Sequence, residues 1–177
     1  MGITVLLFFM LYMLDQILKF IMNKRGLHNP IVIGTNQNSY FIKLDLTYNK
    51  GAAFGLGGDK ATILFTIISA VATVALIIIC TKFINWKRNK AQGVALTLIL
   101  AGCVGNLFDR MMTSFGVMDG VVDMIYFYPF EWACDLIHMG YGIFNLADFY
   151  LVTGIILFAF DFIFFSERKK KKWEKSL

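Results

Sequence analysis

Four apolar runs organise this chain, at about 3–22, 61–81, 93–110 and 143–165. Each is close to the ~20 residues a helix needs to cross the hydrocarbon core of a bilayer. A segment in lipid must satisfy its own backbone N–H and C=O groups, so runs of this length are read as spanning helices. At 58% hydrophobic, with 18 Phe among 177 residues, the chain is too apolar for a soluble domain of this size. No internal repeat, low-complexity linker or second domain is evident, so 1–177 is read as a single integral membrane domain. The first run is read as a retained span and not a cleavable signal peptide. No basic residue precedes it and no small-x-small site follows it.

Between the runs lie three loops. In the first, 23 to about 60, Tyr40 to Tyr48 alternates well enough over its later half to predict a strand. It leads into Asn49-Lys50-Gly51-Ala52-Ala53-Phe54-Gly55, whose small residues permit close backbone approach. Gly57-Gly58-Asp59 then reads as a turn. The second loop, Lys82 to Lys90, is short and basic. The third run holds Gly102 and Gly105 as helix-packing positions. The third loop, 111 to about 142, is acidic (Asp119, Asp123, Glu131, Asp135) and aromatic at Tyr126 to Phe130 and Trp132, the composition of an interfacial anchor. A basic tail, 166–177, ends the chain.

The net charge of +5 is concentrated, not spread, and so does not point to a nucleic-acid partner. The tail carries six Lys and Arg, a solvated run attracted to anionic lipid. Together the second loop and tail hold ten, against six in the first and third loops with Arg110. That bias places both termini in the cytoplasm. Three cysteines, Cys80, Cys103 and Cys134, without a CxxC, read as small apolar filler. His28 and His138 lack ligand-like spacing and read as loop residues, so no metal or other cofactor is expected.

With this topology the costly polar residues share one plane at the outer face. Asp15 and Lys19 lie in the outer half of the first helix, and Asn106, Asp109 and Arg110 at the outer end of the third. Asn145 and Asp148 open the fourth, while Asn49 and Asp123 belong to the outer loops. Asp161 falls at the opposite end, where it can snorkel towards the basic tail. Asp15 and Lys19, an i,i+4 pair, are either a mutually neutralised pair near a helix end or a brace for a site inside the bundle. An intramembrane carboxylate is a functional-site hypothesis by default. Asp123 and Asp148, each approached by apolar chain, suggest a dyad sharing one proton, with the ionised member activating water and the protonated one polarising a carbonyl. Asn106, Arg110 and Asn145 could hold loops, satisfy buried carbonyls or orient the pair. A proton-coupled transporter or a purely structural polar belt are the rival readings. Four spans without a repeat or a pair of broken helices weigh against the transporter.

Five blocks carry a resemblance along essentially the whole chain. They are Asp15-Gln16-Ile17-Leu18-Lys19, Asn49-Lys50-Gly51-Ala52-Ala53-Phe54, Gly102-Cys103-Val104-Gly105-Asn106-Leu107-Phe108-Asp109-Arg110, Val121-Val122-Asp123 and Phe144-Asn145-Leu146-Ala147-Asp148. In this order they resemble the lipoprotein signal peptidases (signal peptidase II), bacterial membrane aspartyl peptidases. The resemblance implies that Asp123 and Asp148 are the catalytic pair, with supporting or substrate-contacting roles for Asp15, Lys19, Asn49, Gly51, Asn106, Arg110 and Asn145. It also implies the substrate, a diacylglyceryl prolipoprotein cut just before its lipidated cysteine. The link from Arg110 to Val121 is longer than in the family and contains Asp119, and Met124 stands where the family usually has Phe. Asp119, beside Gly120, reads as an exposed turn residue, and Asp123 as the desolvated carboxylate.

The reading is therefore an all-α, four-helix membrane protein with a small extracytoplasmic β-element, formed largely by the first loop. It is expected to be a monomeric aspartic endopeptidase of the bacterial plasma membrane, with membrane lipids and its lipoprotein substrate as partners.

Overall fold

The computed structural model describes residues 2–26, 30–34, 41–50, 59–83, 90–131 and 142–174. In chain order its elements are α1 (Gly2–Arg25), β1 (Ile31–Ile33), β2 (Ile42–Asn49), α2 (Asp59–Ile78), α3 (Lys90–Ser114), β3 (Val121–Phe127) and α4 (Leu146–Glu174). A π-helical turn, Ile79–Phe83, closes α2. Among the described residues, four helices are long and apolar enough to cross a membrane, over Gly2–Arg25, Thr62–Lys82, Lys90–Ser114 and Leu146–Phe164.

Burial in the bundle is inverted relative to a soluble protein. Phe9, Ile67, Val71, Ile155 and Ile163 lie exposed on helix faces, as a lipid environment allows, while Asp15, Lys19 and Asn106 are buried inside. Helix α3 is central, packed along α4 and against α1 and α2. The predicted packing glycines explain how close it comes. A Cβ at Gly102 would overlap the Ala147 carbonyl oxygen, and one at Gly105 would lie 2.8 Å from Asp15 Oδ2. Glycine at both positions admits the first turn of α4 and the acid of α1 against the α3 backbone.

At one end of the bundle sits a three-stranded antiparallel sheet in the order β1-β2-β3. The sequence reading drew it mainly from the first loop. The third loop supplies the strand that carries Asp123. Along β3 the side chains alternate: Val122 and Met124 enter a core with Met22 and Leu46, and Asp123 faces the other way. Met124 is fully buried, so a large apolar side chain suits that position whether it is Met or Phe. The pairing runs Thr47↔Asp123 and Leu44↔Ile125, with one extra residue on β2 between them, a bulge opposite Met124.

Several boundaries differ from the sequence reading. Asp59 is the first residue of α2 and not part of a turn; Gly57 and Gly58 lie outside the described residues. The fourth helix starts at Leu146, not at 143, because Phe144 is bonded to β3 and Asn145 caps the helix. It then continues through most of the basic segment, to Glu174. The long link after Arg110 is used for another helical turn of α3, to Ser114, and a bend in which Asp119 is exposed. Asp161 is buried on α4. Cys80 is buried and Cys103 half-buried, as expected of filler, whereas Cys134, His28 and His138 lie outside the described residues.

Candidate active site

Two local structures bring Asp123 and Asp148 together. The first is a junction between β3 and the start of α4. Phe144 O accepts the N–H groups of Met124 and Ile125, and Phe144 N–H donates to Ile125 O at 3.0 Å. The residue following Phe144 is thereby laid beside Asp123. The second is a reciprocal helix cap. Asn145 Oδ1 accepts the Asp148 N–H at 2.9 Å, and the Asp148 carboxylate accepts the Asn145 N–H at 3.2 Å. This is the capping-box arrangement with Asn at the cap and Asp three residues on. It places the Asp148 carboxylate at the N-terminal end of α4, where the helix dipole favours an anion.

Amides connect the two carboxylates. Asn145 Nδ2 donates to Asp123 Oδ1 at 2.7 Å and also lies 3.0 Å from Asn106 Oδ1. Asn106, one face of α3, returns its own Nδ2 to Asp148 Oδ1 at 2.7 Å. The second oxygen of Asp123 accepts Asn49 Nδ2 at 3.0 Å, from the end of β2. Gly120 suits the close approach there, since a Cβ on it would lie 3.1 Å from the Asn49 backbone, tighter than ordinary contact. Asp123 is 3% exposed. Burial pushes its carboxyl up, and the charge of Asp148 pushes it further, to about 7, against the opposing hydrogen bonds of Asn49 and Asn145 and the positive charge of Lys19.

Beneath the amides lies an ionic layer. Lys19 Nζ is 2.9 Å from Asp15 Oδ2 and 2.9 Å from Asp109 Oδ2, and it donates to Asn106 Oδ1 at 3.3 Å. Lys19 and Asp15 are 3% and 0% exposed, so the pair faces the bundle interior and is not a surface pair at a helix end. Asp15 Oδ1 accepts the Ala147 N–H at 2.9 Å, and Asp109 Oδ2 accepts the Val122 N–H at 3.3 Å.

Of the residues singled out from sequence, Asp15, Lys19, Asn49, Asn106, Asn145, Asp123 and Asp148 thus belong to one continuous network. Arg110 points elsewhere. Its Nη1 donates to Ser69 Oγ of α2 at 2.6 Å, and it lines a groove with Asn49, Lys50 and Thr62. Gly51 lies outside the described residues. Asp109 was placed in the outer polar plane but given no part in the site, and Gln16 was given none either. Asp109 shares a helical face with Asn106, three residues earlier, and that spacing was the available signal. Gln16 touches both Asp15 and Asp109.

Comparison with known proteins identifies what the whole chain is similar to. The family model described as signal peptidase (SPase) II matches residues 7–164. A lipoprotein signal peptidase of Fusobacterium nucleatum is 31% identical over 175 residues, covering 96% of this chain and 92% of that protein. One from Borrelia hermsii is 32% identical over 161 residues, covering 88% and 86%. Among solved structures, a bacterial membrane enzyme determined by the in meso method superposes with a TM-score of 0.76 at 26% identity, covering 94% of this chain and 96% of that one. By the extent of the family match and of these relatives, the chain belongs to the signal peptidase II family.

Proposed function

We propose that the protein is an aspartic endopeptidase that removes the signal peptide from diacylglyceryl-modified prolipoproteins, cutting just before the lipidated cysteine. Family membership supports the removal of signal peptides from lipoproteins. The observation that carries the aspartic mechanism is a buried carboxyl, Asp123, that keeps its proton close to neutrality and is bridged through Asn145 and Asn106 to Asp148.

In this reading Asp148 is the ionised member and Asp123 the protonated one. A water between them gives a proton to Asp148 while its oxygen attacks the carbonyl carbon preceding the cysteine. Asp123 donates to the carbonyl oxygen, so that no full negative charge builds up at the membrane edge. Collapse of the tetrahedral intermediate breaks the C–N bond: Asp148 passes its proton to the leaving cysteine amine, and a hydroxyl proton of the intermediate returns to Asp123. The products are a free carboxyl and a free amine, and the dyad returns to its shared-proton state. Asn49, Asn106 and Asn145 keep the carboxylate oxygens pointed at the water. Both termini lie in the cytoplasm, as the basic second loop and tail suggest. The dyad then sits near the outer face, where lipidated precursors emerge.

The test uses purified protein in detergent with a diacylglyceryl prolipoprotein, following release of the signal peptide. Asp123→Asn and Asp148→Asn keep the shape and lose the titrating group, and each should lose roughly 10³-fold or more in kcat. Asp119→Asn should retain most of the activity, because that carboxylate is exposed in the bend before β3. Near-parental turnover by either dyad variant, or a loss confined to Asp119→Asn, would sink the assignment.

A further inference from the structure

Asp15 and Asp109 come from different helices, yet their contacts are matched. Asp109 holds the backbone N–H of Val122, the residue immediately before Asp123. Asp15 holds the backbone N–H of Ala147, the residue immediately before Asp148. One ammonium group, Lys19 Nζ, sits 2.9 Å from an oxygen of each. An ammonium has three N–H donors. The third is directed at Asn106 Oδ1, which leaves the Asn106 amide nitrogen turned to Asp148. One bond further on, two of the Lys19 donors therefore reach the residue preceding Asp123 or Asp148, and the third reaches Asp148 itself. Gln16, one turn before Lys19 on α1, makes a second and weaker bridge, with Nε2 3.1 Å from Asp15 Oδ2 and 3.4 Å from Asp109 Oδ1.

We propose that Lys19, with Asp15 and Asp109 as its two arms, is a positioning device that sets the separation of Asp123 and Asp148. The proposal rests on the dyad reading above and deepens it by assigning Asp109 and Gln16 a part in the same site. A salt bridge that merely held the helices together would need no contact with β3 or with the cap of α4. Here each arm stops at the peptide next to a reacting carboxyl. Separation matters because the shared proton and the attacking water both depend on it, and a misplacement of about 1 Å can cost on the order of 10²-fold in rate. Arginine cannot take over the task, because its planar fork does not direct donors to three acceptors spread around one point.

The experiment measures kcat, KM and the pH profile of full-length Gln16→Ala, Lys19→Arg and Lys19→Met with the lipidated substrate. Gln16→Ala removes no charge and leaves no buried ion unpaired. Its kcat should fall about 10-fold with KM changed by no more than about twofold, the pattern of lost transition-state geometry. Lys19→Arg should fall similarly or further. Lys19→Met should lose about 100-fold in kcat, and its alkaline limb should move to higher pH. The groups facing Asp123 are Asp148 from α4, Lys19 from α1, and the amides Asn49 and Asn145, and Lys19 supplies the positive charge among them. Parental kcat in Gln16→Ala overturns the proposal, as does a Lys19→Met enzyme that loses kcat with its alkaline limb unmoved. If Lys19→Met does not fold, Gln16→Ala decides alone, since a purely structural bridge would lower its stability and leave kcat per folded molecule unchanged. These outcomes are separate from failure of the dyad reading, which shows as activity surviving in Asp123→Asn or Asp148→Asn.

Discussion

Asp123 occupies a place where a carboxylate is costly as an anion: nearly sealed from solvent and facing a second carboxylate. Its folded pKa of about 7 lies above the ordinary carboxylate value, so the folded chain holds a proton that the unfolded chain releases. Stability is therefore highest at low pH in this respect and declines as pH rises through the window from the ordinary value to about 7. Asp123→Asn removes that titration. In thermal unfolding in detergent, the variant should be more stable than the parent above pH 7, with the advantage shrinking towards pH 4, where both side chains are neutral. A pH-independent difference would mean that Asp123 does not carry the shifted proton. Asp123 could be distinguished from Asp119 in the sequence because one follows two β-branched residues and the other adjoins a glycine. Asp109 could not be ranked in the same way. Its importance comes from a partner 90 residues distant, Lys19, and from a strand N–H, neither of which leaves a local trace.

Among the elements, the start of α4 carries the most demands. Its cap, its contact with β3 and its packing against α3 are made within five residues, Phe144 to Asp148. Asn145 and Asp148 are the two ends of one box, so a change that shifts this helix end also moves Asp148. Gly102→Val tests the coupling, because the new side chain must push the Ala147 carbonyl and Leu151 away from α3. It should cost about 1–3 kcal/mol in stability as an overpacked contact. It should also lower kcat about 10-fold by moving the helix end. Parental melting and parental cleavage together would show that the close approach is not required. Strand β3 makes a comparable demand through register. A one-residue slip would put Asp123 into the Met22 core and turn Val122 towards Asn145, and the full burial of Val122 and Met124 opposes it.

At the scale of the whole molecule, the bundle gathers Asp15, Lys19 and Asp109 in one layer at the end that bears the sheet, with Asp161 buried apart on α4, and leaves apolar side chains to meet lipid. The proposed topology predicts that reporter fusions at residue 86 and at the C-terminus are cytoplasmic, and a fusion at Lys50 external. An external signal from the C-terminus would reverse the face assigned to the site. Spans, loops and the candidate carboxylates Asp123 and Asp148 were readable from the chain, because a bilayer imposes a length on every apolar run and makes each carboxylate within one conspicuous. The glycines of α3 were readable too, since small residues mark close helix contacts. Tertiary structure alone decided that β3 joins the sheet, that Phe144 is strand-paired and not helical, and that Asp15 and Asp109 meet on one lysine. Hydropathy depends on each segment and its solvent, whereas these pairings depend on directions and distances between segments far apart in the chain, which exist only once the helices have packed.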